Sequence, residues 1–176
     1  MSLAELENAL PALTELRAQH PREIDWKCIS EAFGTPFPED YMQLAEAYGS
    51  LEIDDFMGIA VPEPSEEARF VAGRRQALYP IESLHEAGLS HGYVPYPQPS
   101  GLIPWGDTID GDEFYWRSNP EGPNAWTIVV AGRNGDWVAF NGNLTEYLAG
   151  LVSGEVAPGG LPSDFPGRSP RVAIWE

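Results

Sequence analysis

Residues 102–116, LIPWGDTIDGDEFYW, constrain this chain more than any other stretch. They enter through the apolar Leu102, Ile103, Pro104 and Trp105, cross a Gly/Asp turn region at 106–112, and leave through Phe114, Tyr115 and Trp116. Three successive aromatics on a strand place bulk on both of its faces, because neighbouring side chains point to opposite sides. A second strand follows at 126–131 (WTIVVA) and a third at 136–140 (DWVAF), joined across Asn134-Gly135. Asn-Gly between apolar runs predicts a hairpin, since both residues tolerate the positive φ of a type I′ turn. Residues 102–140 therefore read as a three- or four-stranded antiparallel meander holding four of the six tryptophans of the chain. The remaining segments read as helices covering it. The expected fold class is α+β, a central antiparallel sheet covered by N-terminal and C-terminal helices.

Those helices are marked by spacing and caps. Leu3, Leu6, Leu10, Leu13 and Leu16 form one stripe at helical period, opened by a Ser2/Glu5 capping-box pattern and broken or kinked near Pro11, which has no N–H to give the preceding turn. Asp25 caps a second helix with Trp26, Ile29 and Phe33 inward, stopped at Gly34. Pro38 opens a third, with Glu39 and Asp40 at its positive end, Tyr41, Leu44, Ala45 and Tyr48 inward, and Gly49 as its end. Residues 51–61 read as a strand or strand pair, 65–78 as a helix bearing Arg69, Arg74 and Arg75, and 81–87 as a short helix. Asn143 caps a last helix through Leu151. Residues 1–153 are thus expected to form one domain, and 154–176 a Pro/Gly-rich tail whose apolar VAIW could dock as an edge strand.

Charge limits the partners. Twenty-seven acidic against ten basic residues give −17, a field that repels phosphate and argues against direct nucleic-acid binding. It favours a basic protein partner, or serves solubility alone. A single cysteine, Cys28, leaves no internal disulfide and suits a reducing compartment. Neither a leader pattern nor an apolar run of membrane-spanning length is present, so the expectation is a cytoplasmic protein without membrane contact. The arginine cluster at 69–75 reads as a solvated face or as a contact for the acidic patch of another copy, which leaves a homodimer open.

Motifs that carry chemistry are few. Gly88-Leu-Ser90-His-Gly92 fits the G-x-S-x-G pattern, but that nucleophile elbow needs a strand before it, a helix after it and a later histidine. The histidines are His20, His85 and His91 alone, and Tyr-Val-Pro-Tyr-Pro follows, so the segment reads as a loop. Histidine spacing and a lone cysteine give no zinc pattern, and the acids at 107–113 do not follow an EF-hand. No phosphate-binding glycine loop occurs. No catalytic residue, metal or cofactor is expected.

The order of features resembles a known family. Trp26-x-x-Ile-x-x-x-Phe-Gly34, then Pro38-x-Asp-Tyr41-x-x-Leu-x-x-x-Tyr-Gly49, is similar to the N-terminal signature of the SUKH superfamily. Ile103-Pro-Trp-Gly106, Gly111-Asp112-x-x-Tyr-Trp116, Trp126-x-Ile-Val-Val130, Trp137-x-x-Phe140 and Leu144-x-x-Tyr-Leu148 resemble its central sheet and closing helix. The resemblance covers roughly residues 24–153. Phe37 stands where leucine is usual, and the long 62–100 region departs from the pattern. The resemblance implies a non-catalytic α+β domain: bacterial members are typically immunity proteins that neutralise toxins of polymorphic systems, and fungal members regulate cell-wall synthesis and signalling.

Three functions follow as expectations: a protein that neutralises a basic toxin domain, such as a nuclease; a general interaction or regulatory scaffold; and a small hydrolase built on Ser90. For the first, the expected partner-binding residues are Glu52, Asp54 and Asp55 in one cluster and Asp107, Asp110, Asp112 and Glu113 in another, with Phe56 or Trp105 as apolar anchor. Either the clusters frame one patch or they solvate separate loops.

Overall fold

In the computed structural model, which describes residues 3–175, an α+β fold is built on a seven-stranded antiparallel sheet. The chain runs through α1 (Leu3–Ala9), a 3-10 turn (Pro11–Leu16), α2 (Trp26–Phe33) and α3 (Glu39–Ala47) before the first hairpin, β1 (Leu51–Ile53) and β2 (Met57–Ile59). Two helices, α4 (Glu67–Gln76) and α5 (Tyr79–Glu86), lead to the meander β3 (Leu102–Thr108), β4 (Glu113–Arg117), β5 (Thr127–Ala131) and β6 (Trp137–Phe140). Helix α6 (Leu144–Ser153) and strand β7 (Val172–Ile174) close the chain. The spatial order is β6-β5-β4-β3-β2-β1-β7, so the meander continues the N-terminal hairpin and the last strand is added outside β1.

Alternation sorts the sheet residues into two cores. Leu51, Ile53, Met57, Ile59, Phe114, Trp116, Ile128 and Val130 face the larger one, with α1, α2, α3 and α6 packed over them. Leu102, Tyr115, Val129 and Ala131 face the other side, covered by Leu78, Ile81 and the rings of Tyr93 and Tyr96. The three-aromatic run is thus divided as a strand requires, Phe114 and Trp116 to one core and Tyr115 to the other. Aromatic edges tie the larger core together: Trp116 meets the ring of Tyr41 edge-on at 4.8 Å, and Trp105 stacks on Phe114 at 4.9 Å. The Tyr41 hydroxyl donates to the Ala60 carbonyl at 2.7 Å, and the Tyr48 hydroxyl to Glu7 Oε1 at 2.6 Å.

Proline and caps set the helix bounds. Pro11 ends α1, yet Leu10 and Leu13 on either side of it stay buried, so the chain changes helix type without losing its apolar stripe. Asp25 Oδ1 accepts from the Cys28 N–H at 2.8 Å, and Asn143 and Glu146 form a reciprocal capping box on α6. The Ser2 half of the proposed N-terminal box lies outside the described residues.

Two local expectations are corrected. Helix α3 ends at Ala47 rather than at Gly49: Tyr48 is already extended, with φ −135°, which carries its ring into the core. The Asn134-Gly135 connection is not a two-residue type I′ turn. Ala131 pairs with Trp137, so five residues form the loop, and of the two only Gly135 has positive φ, 84°. Its N–H donates to the Gly132 carbonyl at 2.9 Å, closing a wider turn. Residues 62–100, unassignable by resemblance, contain α4 and α5. Phe70 and Val71 of α4 enter the larger core and Ile81 of α5 enters the smaller one.

Candidate functional site

Most of the acidic residues expected to meet a partner are occupied within the chain. Asp54 and Asp55 form the β1–β2 turn, both with left-handed backbone at φ 55° and 52°. The Asp54 carboxylate accepts from the backbone N–H groups of Gly167 at 2.8 Å and Arg171 at 2.7 Å, and its own N–H donates to the Arg171 carbonyl. Asp55 pairs with the Arg171 side chain. This turn therefore clasps the C-terminal segment, bringing β7 onto β1 in register Leu51↔Ile174 and Ile53↔Val172. Phe56 is half-buried, its ring 4.9 Å from that of buried Phe165, so it anchors the same segment. Nothing local announces this use, because the partners lie more than a hundred residues later.

The second cluster divides as well. Asp112 is buried: Oδ2 accepts from the Thr108 hydroxyl at 2.6 Å and Oδ1 from the Arg133 N–H at 2.8 Å. Asp110 pairs with Arg133 at 3.3 Å. Trp105, expected as an apolar anchor, is fully buried between Phe114 and Tyr147 and has no surface to offer; strand alternation puts it on the same core face as Ile103, two residues before it.

Three acids remain, and strand register gathers them. Glu52 is opposite Gly58, Gly58 opposite Asp107, and Asp107 opposite Glu113, one row across β1, β2, β3 and β4. Their neighbours Leu51, Ile53, Phe114 and Thr108 are buried, which puts the row on the face away from α1, α3 and α6. The two acidic turns also meet at one end of the sheet, where the Ile109 N–H donates to the Phe56 carbonyl at 3.0 Å. The expected clusters are thus adjacent, but only Glu52, Asp107 and Glu113 keep their carboxylates free of a hydrogen bond or ion pair among the described residues.

The Asp107–Glu113 pair is electrostatically strained. Burial, then the charge of Asp107 opposite it, pushes the Glu113 carboxyl up to about 7; Asp112 adds to this and Arg74 of α4 opposes it. Burial raises Asp107 as well, again against Arg74. Beside the pair, between the α4–α5 junction and the sheet, runs a groove of about 670 Å³ bounded by Gln76, Tyr79, Glu82, Asp107 and Glu113. Tyr79 is 70% exposed at its wall. On the other side of Asp107, the Trp175 ring and the Asp107 carboxylate both overhang Gly58, whose missing side chain leaves room for them. Trp175 belongs to the VAIW ending legible as a docking strand, whereas Tyr79 carries no local signal. A second hollow, between α1 and α3, is lined by Glu7, Arg17 and Glu46, but Glu7 already binds Tyr48 and Arg17.

Ser90 is buried in a loop, and its hydroxyl donates to the Tyr93 carbonyl at 2.7 Å; the His91 ring lies against Trp137. The Ser90 oxygen is therefore turned to backbone rather than to an imidazole. Among the described residues no group of three or more His, Cys, Asp or Glu is placed to hold a metal ion, and no helix is long and apolar enough to cross a membrane. No protein-family model, curated protein or solved structure matches the chain.

Proposed function

We propose that this chain is a non-catalytic binding protein that neutralises a cognate toxin by covering a basic surface of the toxin domain. The observation that carries the proposal is the Glu52–Asp107–Glu113 row: three aligned, unpaired carboxylates on a sheet face, in a chain of net charge −17. Like charges directly opposite on neighbouring strands cost stability, and a partner cation relieves that cost. Long-range attraction between such a body and a basic domain raises the association rate, while flanking aromatics supply contact area. The resemblance to the SUKH superfamily supports the same reading, with action in the cytoplasm, no cofactor and no direct contact with nucleic acid.

The test is co-expression. The chain is produced with the C-terminal domain of a large secreted protein encoded beside its gene. Restored growth and a stoichiometric complex on gel filtration are expected. Unprotected cells, with both proteins folded and expressed, defeat the proposal. The scaffold reading has no observation of its own in its favour, and the Ser90 hydroxyl, spent on the Tyr93 carbonyl, lends none to a hydrolase.

A further inference from the structure

We infer that the groove between the start of α5 and the Asp107–Glu113 pair is the seat of an arginine side chain from a basic protein partner. The inference rests on the toxin-binding reading and gives it a location. Of the seven acids in the two turn clusters, Asp54, Asp55, Asp110 and Asp112 are satisfied by Gly167, Arg171, Arg133 and Thr108. The three left unsatisfied are the three that share a row. The chain's own nearby cations make no ion pair with the row: Arg75, in the groove wall, donates to the Ala32 carbonyl, and Arg74, whose charge bears on both Asp107 and Glu113, lies 5.8 Å over the Phe70 ring.

The geometry suits a guanidinium better than an ammonium. Asp107 and Glu113 are directly opposite one another on facing strands, and a planar fork of N–H donors can reach two carboxylates at once. An exposed ring stands on each side of the pair, Tyr79 in the groove wall and Trp175 over Gly58 beyond Asp107, and gives such a plane a surface to stack on. Gly58, in the same row, has no side chain of its own, and the space above it beside Asp107 is taken by the Trp175 ring. A seated cation also returns Glu113 toward its ordinary range, so binding releases a proton near neutrality; Asp107, Asp112 and Arg74 are the charged groups that bear on it.

The experiment uses the full chain, ¹⁵N-labelled, titrated with a hexa-arginine peptide, with hexa-glutamate as control. Saturable shifts confined to residues 73–82 and 105–115 and to the Trp175 indole are expected with hexa-arginine and absent with hexa-glutamate. D107N/E113Q, which removes like-charge repulsion and keeps shape, is expected to weaken binding at least tenfold. E121Q/E155Q, matched in charge but away from the groove, is expected to change it less than twofold. Should the first double variant lose its dispersed spectrum, Glu113→Gln alone carries the comparison, with a loss of about threefold or more expected. Equal weakening by both double variants, shifts scattered over the acidic surface, or shifts at 105–115 evoked by calcium but not by hexa-arginine would each overturn the inference. The two proposals also fail separately. A toxin complex unaffected by D107N/E113Q removes the groove and leaves neutralisation standing, whereas peptide seating without protection in cells does the reverse.

Discussion

Thr108 and Asp112 hold each other three times across the β3–β4 turn: the Thr108 hydroxyl donates to Asp112 Oδ2 at 2.6 Å and accepts from the Asp112 N–H at 3.1 Å, and the Thr108 N–H donates to the Asp112 carbonyl at 3.0 Å. Asp112 also receives the Arg133 N–H from the next hairpin, so one buried carboxylate joins two turns. Asp112→Ala leaves a hydroxyl and a backbone N–H without acceptors and is expected to cost about 2–3 kcal/mol. Thr108→Val is expected to cost about 1–2 kcal/mol, and the double variant less than the sum, because both disrupt one network. Urea denaturation of the three variants measures the coupling; additive losses would separate the two residues.

Glu113 gives a pH dependence of definite sign. Its folded value of about 7 lies above the ordinary 4.5, so between those values the folded chain holds a proton that the unfolded chain has released. Stability therefore falls as pH rises through that window. Glu113→Gln removes the fall and is expected to be more stable than the parent at pH 8 by on the order of 1 kcal/mol, a figure reduced for solvent screening at this partly exposed site. Thermal melts at pH 5 and pH 8 check it. An identical pH difference in parent and variant would assign the effect elsewhere.

Gly111 and Gly106, five residues apart, are expected to fail for different reasons. Gly111 has φ 93° with open space around it, so Gly111→Ala meets only backbone strain, on the order of 1 kcal/mol. Gly106 faces the Gly58 carbonyl across the β2–β3 pair, and an added methyl group runs into that oxygen. Gly106→Ala is expected to cost about 3 kcal/mol by forcing the strands apart. Gly111→Asn, which tolerates positive φ, is expected to recover part of the first loss, while no side chain recovers the second.

The clasp on the C-terminal segment has its own signature. Asp54→Ala deprives two backbone N–H groups of their acceptor and is expected to speed proteolysis within residues 154–171 at least fivefold, with the meander left intact. Phe165→Ala opens the buried contact with Phe56 and is expected to cost about 3 kcal/mol. Unchanged cleavage in Asp54→Ala would mean that the β1–β7 pairing alone holds the segment.

Features carried by local periodicity were legible in the sequence. The leucine stripe with its interruption at Pro11, the caps at Asp25 and Asn143, and the division of Phe114, Tyr115 and Trp116 between two faces all depend on neighbours within a few residues. The candidate site was half legible for the same reason. A run of acids shows in composition, but whether an aspartate is spent depends on what arrives from a distance. Asp54 is claimed by Gly167 and Arg171, Asp112 by Arg133, and neither pairing leaves a trace near the acid itself. Glu52, Asp107 and Glu113 became a row only once the register of four strands was known.

The placement of β7 has a consequence for how the molecule is made. Strand β1 is synthesised more than a hundred residues before Val172, Ala173 and Ile174, which cover its outer edge. At the usual pace of translation that edge stays uncovered for on the order of ten seconds, longer than a hairpin needs to form. The nascent sheet thus passes through a stage in which a short apolar strand, Leu51-Glu52-Ile53, is open to any extended segment nearby, including the same strand on a neighbouring ribosome. Glu52, at the centre of that strand, guards the interval: two copies pairing there in antiparallel register would set one glutamate against the other.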